Sequence, residues 1–167
     1  MRFYKSEQKF IISSKNEIED KIWSFLNLPK GWHYGSGFPP SKRTVNDALR
    51  INYLAQLYGL RTDAVPGIEG EIQVICFSGD DTLEFTIESD GRVTFVREQK
   101  GQEVLYIENL SIEEAIEKLC DYGRKLCDLS ASSTQITTSR TREDLVVWPS
   151  RIPLIAAEYQ LFLIMYN

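Results

Sequence analysis

The chain has 167 residues, 43% of them hydrophobic and 26% charged, with a formal net charge of −5. That length suits one domain with a sizeable core, and the balance is that of an ordinary globule in water. The mild acidic excess, spread along the chain, excludes a nucleic-acid binder that relies on a broad basic footprint, and is too weak for a mimic with concentrated acidic faces.

The opening residues, Met-Arg-Phe-Tyr-Lys-Ser, lack an apolar core region, so the expectation is no signal peptide. Lys9–Ile12 predicts a short first strand. Ser13 and Ser14 then precede a helix through about Leu26, with Ile18, Ile22, Trp23, Phe25 and Leu26 on its apolar side. Glu17 follows Ser14 at the spacing of a capping box.

Pro29–Ser41 reads as a loop, because three glycines and three prolines in thirteen residues exclude a helix or a central strand. Connecting loops are normally short and polar, whereas this one carries Trp32, Tyr34, Phe38 and the single histidine, His33. Ordering it costs about 1–2 kcal/mol per residue, so its aromatics are expected to find a surface, in this domain or on a partner.

Ser41 is a natural N-cap for a second helix to about Tyr58, with a stripe of Val45, Ala48, Ile51, Leu54, Ala55 and Tyr58, and Gly59 to end it. The period then changes to two. Glu71–Phe77, Thr82–Glu88, Val93–Glu98 and Glu103–Ile107 predict four antiparallel strands, with Asp90-Gly91 as a tight hairpin turn. Leu83, Phe85 and Ile87 alternate with Glu84, Thr86 and Glu88, so one face of the sheet is buried and the other is wet.

Ser111-Ile-Glu-Glu114 is a second capping box and opens a helix to about Cys127 with Ile112, Ala115, Ile116, Leu119, Tyr122 and Leu126 in its stripe. Segregated helices and strands predict an α+β fold: an antiparallel β-meander of four or more strands with two or three helices on one face. Residues 1–129 form that domain in this reading. Ser130–Arg142, rich in Ser and Thr, is a polar linker or arm. Residues 143–167 are an apolar segment that completes the core or docks on a partner, and Ile152–Tyr166 within it is too short to span a bilayer and carries Glu158.

Chemistry-bearing motifs are sparse. No Gly-Xaa-Ser-Xaa-Gly surrounds a serine, and neither a Walker loop nor a dinucleotide fingerprint is present. One histidine and three scattered cysteines, Cys76, Cys120 and Cys127, offer no zinc spacing, so neither metal nor cofactor is expected. Cys120 and Cys127 lie about 10 Å apart along a helix axis, too far to bridge, and reduced thiols imply a cytoplasmic protein.

Gly31-Trp32, then Tyr34-Gly35, then Pro39-Pro40-Ser41 and a helix, resembles a stretch in small uncharacterised bacterial and phage proteins. Their pattern runs Gly-Trp-Asp-Gly-Tyr-Gly-Xaa-Xaa-Pro-Ser before a helix and a β-meander. The resemblance covers about Leu28 to Ile107, with His33 where the pattern has Asp and Tyr34-Gly35 one place early. It implies this architecture and an accessory or inhibitor protein of a bacterium, phage or mobile element, and it implies no activity.

The leading expectation is therefore a non-catalytic protein–protein interaction module, partnering another protein or itself and not a membrane. Its contact elements are Trp32, His33, Tyr34 and Phe38 with Tyr159, Phe162 and Tyr166. Two alternatives carry different chemistry. One is a small hydrolase-like enzyme pairing His33 with a carboxylate of the meander. The other is a nucleic-acid-binding regulator using Lys42, Arg43, Arg140 and Arg142.

Overall fold

A computed structural model describes residues 17–133, with side chains through Leu129. The expected strand Lys9–Ile12, the arm from 134 onward and the apolar end lie outside the described residues. The chain divides into two compact units, Met1–Leu119 and Cys120–Asn167.

In the first unit, helix α1 (residues 17–24) runs into a 3-10 turn, Phe25–Asn27, and buries Ile22 and Phe25. Helix α2 spans Lys42–Leu57 and starts where expected: the Ser41 hydroxyl accepts from the Thr44 N–H at 3.1 Å. Gly59, at φ +77°, closes it, donating to the Gln56 carbonyl while the Leu60 N–H reaches the Ala55 carbonyl.

Five antiparallel strands follow in simple order: β1 (Arg61–Pro66), β2 (Ile72–Ser78), β3 (Asp81–Ile87), β4 (Val93–Gln99) and β5 (Gln102–Leu110). The fold is α+β, as expected. The periodicity misses β1, because Asp63, Ala64 and Pro66 are poor strand formers. Tertiary packing overrides that preference: α2 crosses β1, β2 and β3, and a residue as small as Ala64 lets helix and sheet approach closely.

The inner face beneath α2 is the core. Ala64, Val74, Phe85 and Phe95 lie directly opposite one another across four strands, and Cys76, Leu83, Ile87 and Val93 surround them. Burial pushes the Cys76 thiol up to about 12, so it stays protonated and inert. One buried polar knot joins helix to sheet: the Thr62 hydroxyl donates to Asn52 Oδ1 at 2.6 Å, and Gln56 Nε2 donates to both.

Helix α3 (Ile112–Ser133) opens on the expected capping box, with the Glu114 N–H donating to Ser111 Oγ and the Ser111 N–H to Glu114 Oε2. It runs past Cys127 into the start of the stretch read as a polar linker, since Ser and Ala tolerate a helix once it is under way. Among the described residues no helix is long and apolar enough to cross a membrane.

Two acids place opposite pH signatures on the first unit. Lys21 Nζ sits 2.6 Å from Asp63 Oδ1. Its hydrogen bond, helped by the Ala64 N–H, holds the Asp63 carboxyl below the ordinary 3.8. Asp47 of α2 is buried, and that desolvation raises its carboxyl despite Arg50 and Arg43 beside it. The Asp63 contribution is present above 3.8 and fades as pH falls through the folded-state value. The Asp47 contribution is full below 3.8 and fades as pH rises through its own. Carbon-13 carboxyl titration is expected to find the Asp63 midpoint below 3.8 and the Asp47 midpoint above it. Asp63→Asn is expected to be less stable than the parent at neutral pH, the two converging as acid protonates Asp63. A stability gap that persists unchanged into acid refutes this assignment.

Candidate interaction surface

The loop between α1 and α2 is ordered by its own backbone. Gly31 N–H donates to the Gly37 carbonyl at 2.8 Å and Gly35 N–H to the Gly31 carbonyl at 3.0 Å. His33 and Ser36 exchange both backbone bonds at 2.9 Å, a miniature antiparallel bridge. That path requires left-handed backbone at Gly31, Gly35 and Gly37, with φ of +82°, +88° and +100°. It also imposes φ +51° on Tyr34, a conformation that a bulky side chain rarely adopts and that is common at functional sites.

A further bond fixes the loop to the sheet. The Phe38 N–H donates to the Ile68 carbonyl in the β1–β2 turn at 2.9 Å. Gly70 of that turn lies against the Pro39 carbonyl, 3.4 Å from where a Cβ would stand.

With the backbone satisfied internally, the aromatic side chains stay outside. Tyr34 is 98% exposed and Phe38 54%. Trp32 is half-buried; its indole N–H reaches the Phe38 carbonyl at 3.4 Å and its ring lies against Gly37. The exposed His33 makes edge contacts with Trp32 and Tyr34, at centroid distances of 5.4 and 4.8 Å. Lys30 Nζ lies 5.4 Å from the Phe38 ring centre.

The structure thus unites four of the seven residues expected at a contact surface, Trp32, His33, Tyr34 and Phe38. Tyr159, Phe162 and Tyr166 lie outside the described residues. It adds one that sequence reading misses: Ile68, 46% exposed, beside Phe38 through their backbone bond. No local signal marks Ile68, because the contact spans thirty positions of chain.

The charges are arranged by sign. From Pro29 to Asn46 there is no carboxylate, and Lys30, Lys42 and Arg43 flank the aromatics. Arg43 stands 3.9 Å from Asp47 and packs on Gly91 of the β3–β4 turn, while Lys42 is exposed. Arg140 and Arg142 fall outside the described residues. Glu69, Glu71, Glu88 and Asp90 occupy the turns of this end of the sheet. Desolvation, then the charges of Glu71, Asp90 and Glu69, raises the Glu88 carboxyl.

Among the described residues the contacts of His33 are with aromatic rings and with the backbone and hydroxyl of Ser36, and no carboxylate is among them. No group of three or more His, Cys, Asp or Glu side chains suited to a metal occurs among the described residues. Comparison with protein families, with curated proteins and with solved structures finds no match to this chain.

Proposed function

We propose that this protein is a non-catalytic protein–protein recognition module whose contact surface is the aromatic loop. One observation carries the reading: a loop made rigid by its own backbone bonds holds Tyr34 and Phe38 in water. Burying large apolar side chains is favourable by about 25 cal/mol per Å², so exposure on a pre-formed scaffold is a free-energy reserve for association. Rigidity lowers the ordering cost of binding, and aromatics of this kind dominate interface energetics. The scattered spacing of Cys76, Cys120 and Cys127 and the buried, protonated thiol of Cys76 support a reducing, cytoplasmic setting for that role. An accessory or inhibitor role in a bacterium, phage or mobile element rests on the loop resemblance.

The test uses variants that leave the fold intact. Tyr34 touches little of its own domain, so Tyr34→Ala is expected to change stability by no more than about 0.5 kcal/mol. Affinity capture from the native host, with the bound protein then titrated, is expected to show a loss of about 2 kcal/mol for Tyr34→Ala and for Phe38→Ala. Recovery of the same partners, at the same affinity, by the double variant rules the loop out as interface.

A further inference from the structure

We infer that the outer edge of β5 is a strand-addition site for an extended peptide whose side chains alternate between basic and apolar. This surface is separate from the aromatic loop and stands whether or not the loop binds a partner.

The two edges of the sheet differ in how they are guarded. Strand β1 is short, ends at Pro66, and has Lys21 of α1 bridging to Asp63. Proline and charged side chains of this kind are how edge strands avoid pairing with other chains. Strand β5 is nine residues long, and Gln102–Leu110 contains no Pro, Lys or Arg. Val104, Leu105 and Tyr106 are 51%, 42% and 50% exposed. Among the described residues no strand lies beyond it. The β4–β5 ladder shifts register between Val93 and Phe95 and again between Arg97 and Glu98. The regular stretch between those shifts is Leu105–Ile107, so the apolar residues sit where backbone donors and acceptors are best aligned for another strand.

Register assigns the faces. Leu105 and Ile107 lie opposite Arg97 and Phe95 on the inner face, and Tyr106 lies opposite Val96 on the outer one. On that outer face Glu98 stands directly opposite Glu103, a like-charge pair that costs stability within the sheet. Tyr106 donates to Glu108, and the phenol is raised by that bond, by burial and by the charges of Glu108, Glu103 and Glu88. Glu84 is likewise raised, by burial and then by Glu98.

Among the described residues two nearby cations are committed elsewhere, while a third, Lys100, stands exposed in the β4–β5 turn. Arg97 pairs with Asp81 at 2.9 Å from the inner face, and Arg92 with Asp90 and Asn109. A sixth strand therefore meets apolar neighbours on one face and the carboxylates of Glu98, Glu103 and Glu108 on the other, more than Lys100 alone can balance. Alternating Val or Phe with Lys or Arg answers both, the backbone supplying affinity and the alternation specificity. A second copy of β5 answers the apolar face but not the acidic one, since it brings Glu103 and Glu108 to the junction again.

The probe is the fluorescein-labelled peptide Thr-Lys-Val-Lys-Phe-Lys-Val-Thr, titrated with the full chain by fluorescence anisotropy. Saturable binding is expected, and it weakens as salt rises from ~20 to ~150 mM. A peptide with three backbone N-methyl groups on its pairing edge is expected to bind about 100-fold more weakly, each methyl removing one ladder bond. Glu103→Lys is expected to weaken binding about tenfold, whereas Glu117→Lys, the same charge change on exposed α3, is not. No saturable binding, equal binding of the methylated peptide, or equal effects of the two lysine variants overturns the proposal. So does a dimer in sedimentation that Leu105→Lys dissociates, which assigns the edge to a second copy.

Discussion

Phe85→Ala is expected to lower the folding stability of the first unit by about 3–5 kcal/mol, a large share of the roughly 5–15 kcal/mol a domain has in total. Phe85 is fully buried at the centre of β3. It lies opposite Val74 on one side and Phe95 on the other, with the two phenyl rings stacked at 4.9 Å. Strands hydrogen-bonded on both sides, with α2 above, have little freedom to collapse into the void, so the cavity cost adds to the lost transfer energy. Urea unfolding followed by far-ultraviolet circular dichroism measures it. A double-mutant cycle with Phe95→Ala is expected to show about 0.5–1.5 kcal/mol of coupling from the ring pair. A loss below about 1 kcal/mol for Phe85→Ala contradicts the assignment of this face as the core.

The second large effect is local. Gly37→Ala places a Cβ 2.9 Å from Trp32 Nε1 and 3.1 Å from Cδ1, at a backbone φ of +100°. Gly35→Ala meets a similar backbone demand, φ +88°, with nothing within 4 Å. Backbone strain in this region costs about 1–3 kcal/mol, and crowding adds about 1–3 kcal/mol where a side chain must be displaced. Gly35→Ala is therefore expected to carry the strain alone and Gly37→Ala both. The readouts are the Trp32 indole N–H resonance, which should shift only in Gly37→Ala, and amide exchange at Gly31 and Gly35, which should accelerate more in Gly37→Ala. Equal behaviour of the two variants refutes the close approach of Trp32 to Gly37 as a constraint. Because the loop is stiffened by this contact, Gly37→Ala is also expected to weaken partner binding while leaving Phe85 and its neighbours undisturbed.

Both cases separate what a linear reading carries from what it lacks. Leu83, Phe85 and Ile87 alternate with charged and hydroxyl residues, and that alternation is enough to put Phe85 inside. The capping residues Ser41, Ser111 and Glu114 act within three positions, so they too are visible without a fold. Strand β1 is different. Asp63, Ala64 and Pro66 argue against a strand locally, and their reasons to form one lie six to twelve residues away, in β2 and in the Asn52–Thr62 bond to α2. The continuation of α3 through Ser133 is a similar override of composition by an established helix.

For the candidate surface the sequence singles out thirteen residues, Pro29–Ser41, and leaves open where their aromatics find a surface, in this domain or on a partner. The structure orders the loop through Gly31, Gly35, Gly37 and the bond from Phe38 to Ile68, leaving Tyr34 and Phe38 in solvent.

From residue types and their periods alone follow the α+β class, the meander, the buried strand face, the helix starts and the absence of a recognisable reaction motif. All of these depend on interactions between near neighbours or on a repeat of two or 3.6. Tertiary structure alone decides that β1 exists, that among the described residues β5 is the last strand of the sheet, and that the loop displays its rings instead of hiding them. Each of these turns on which backbone groups find one another, and pairings from six residues apart in β1 and β2 to thirty between Phe38 and Ile68 leave no imprint on hydrophobic pattern.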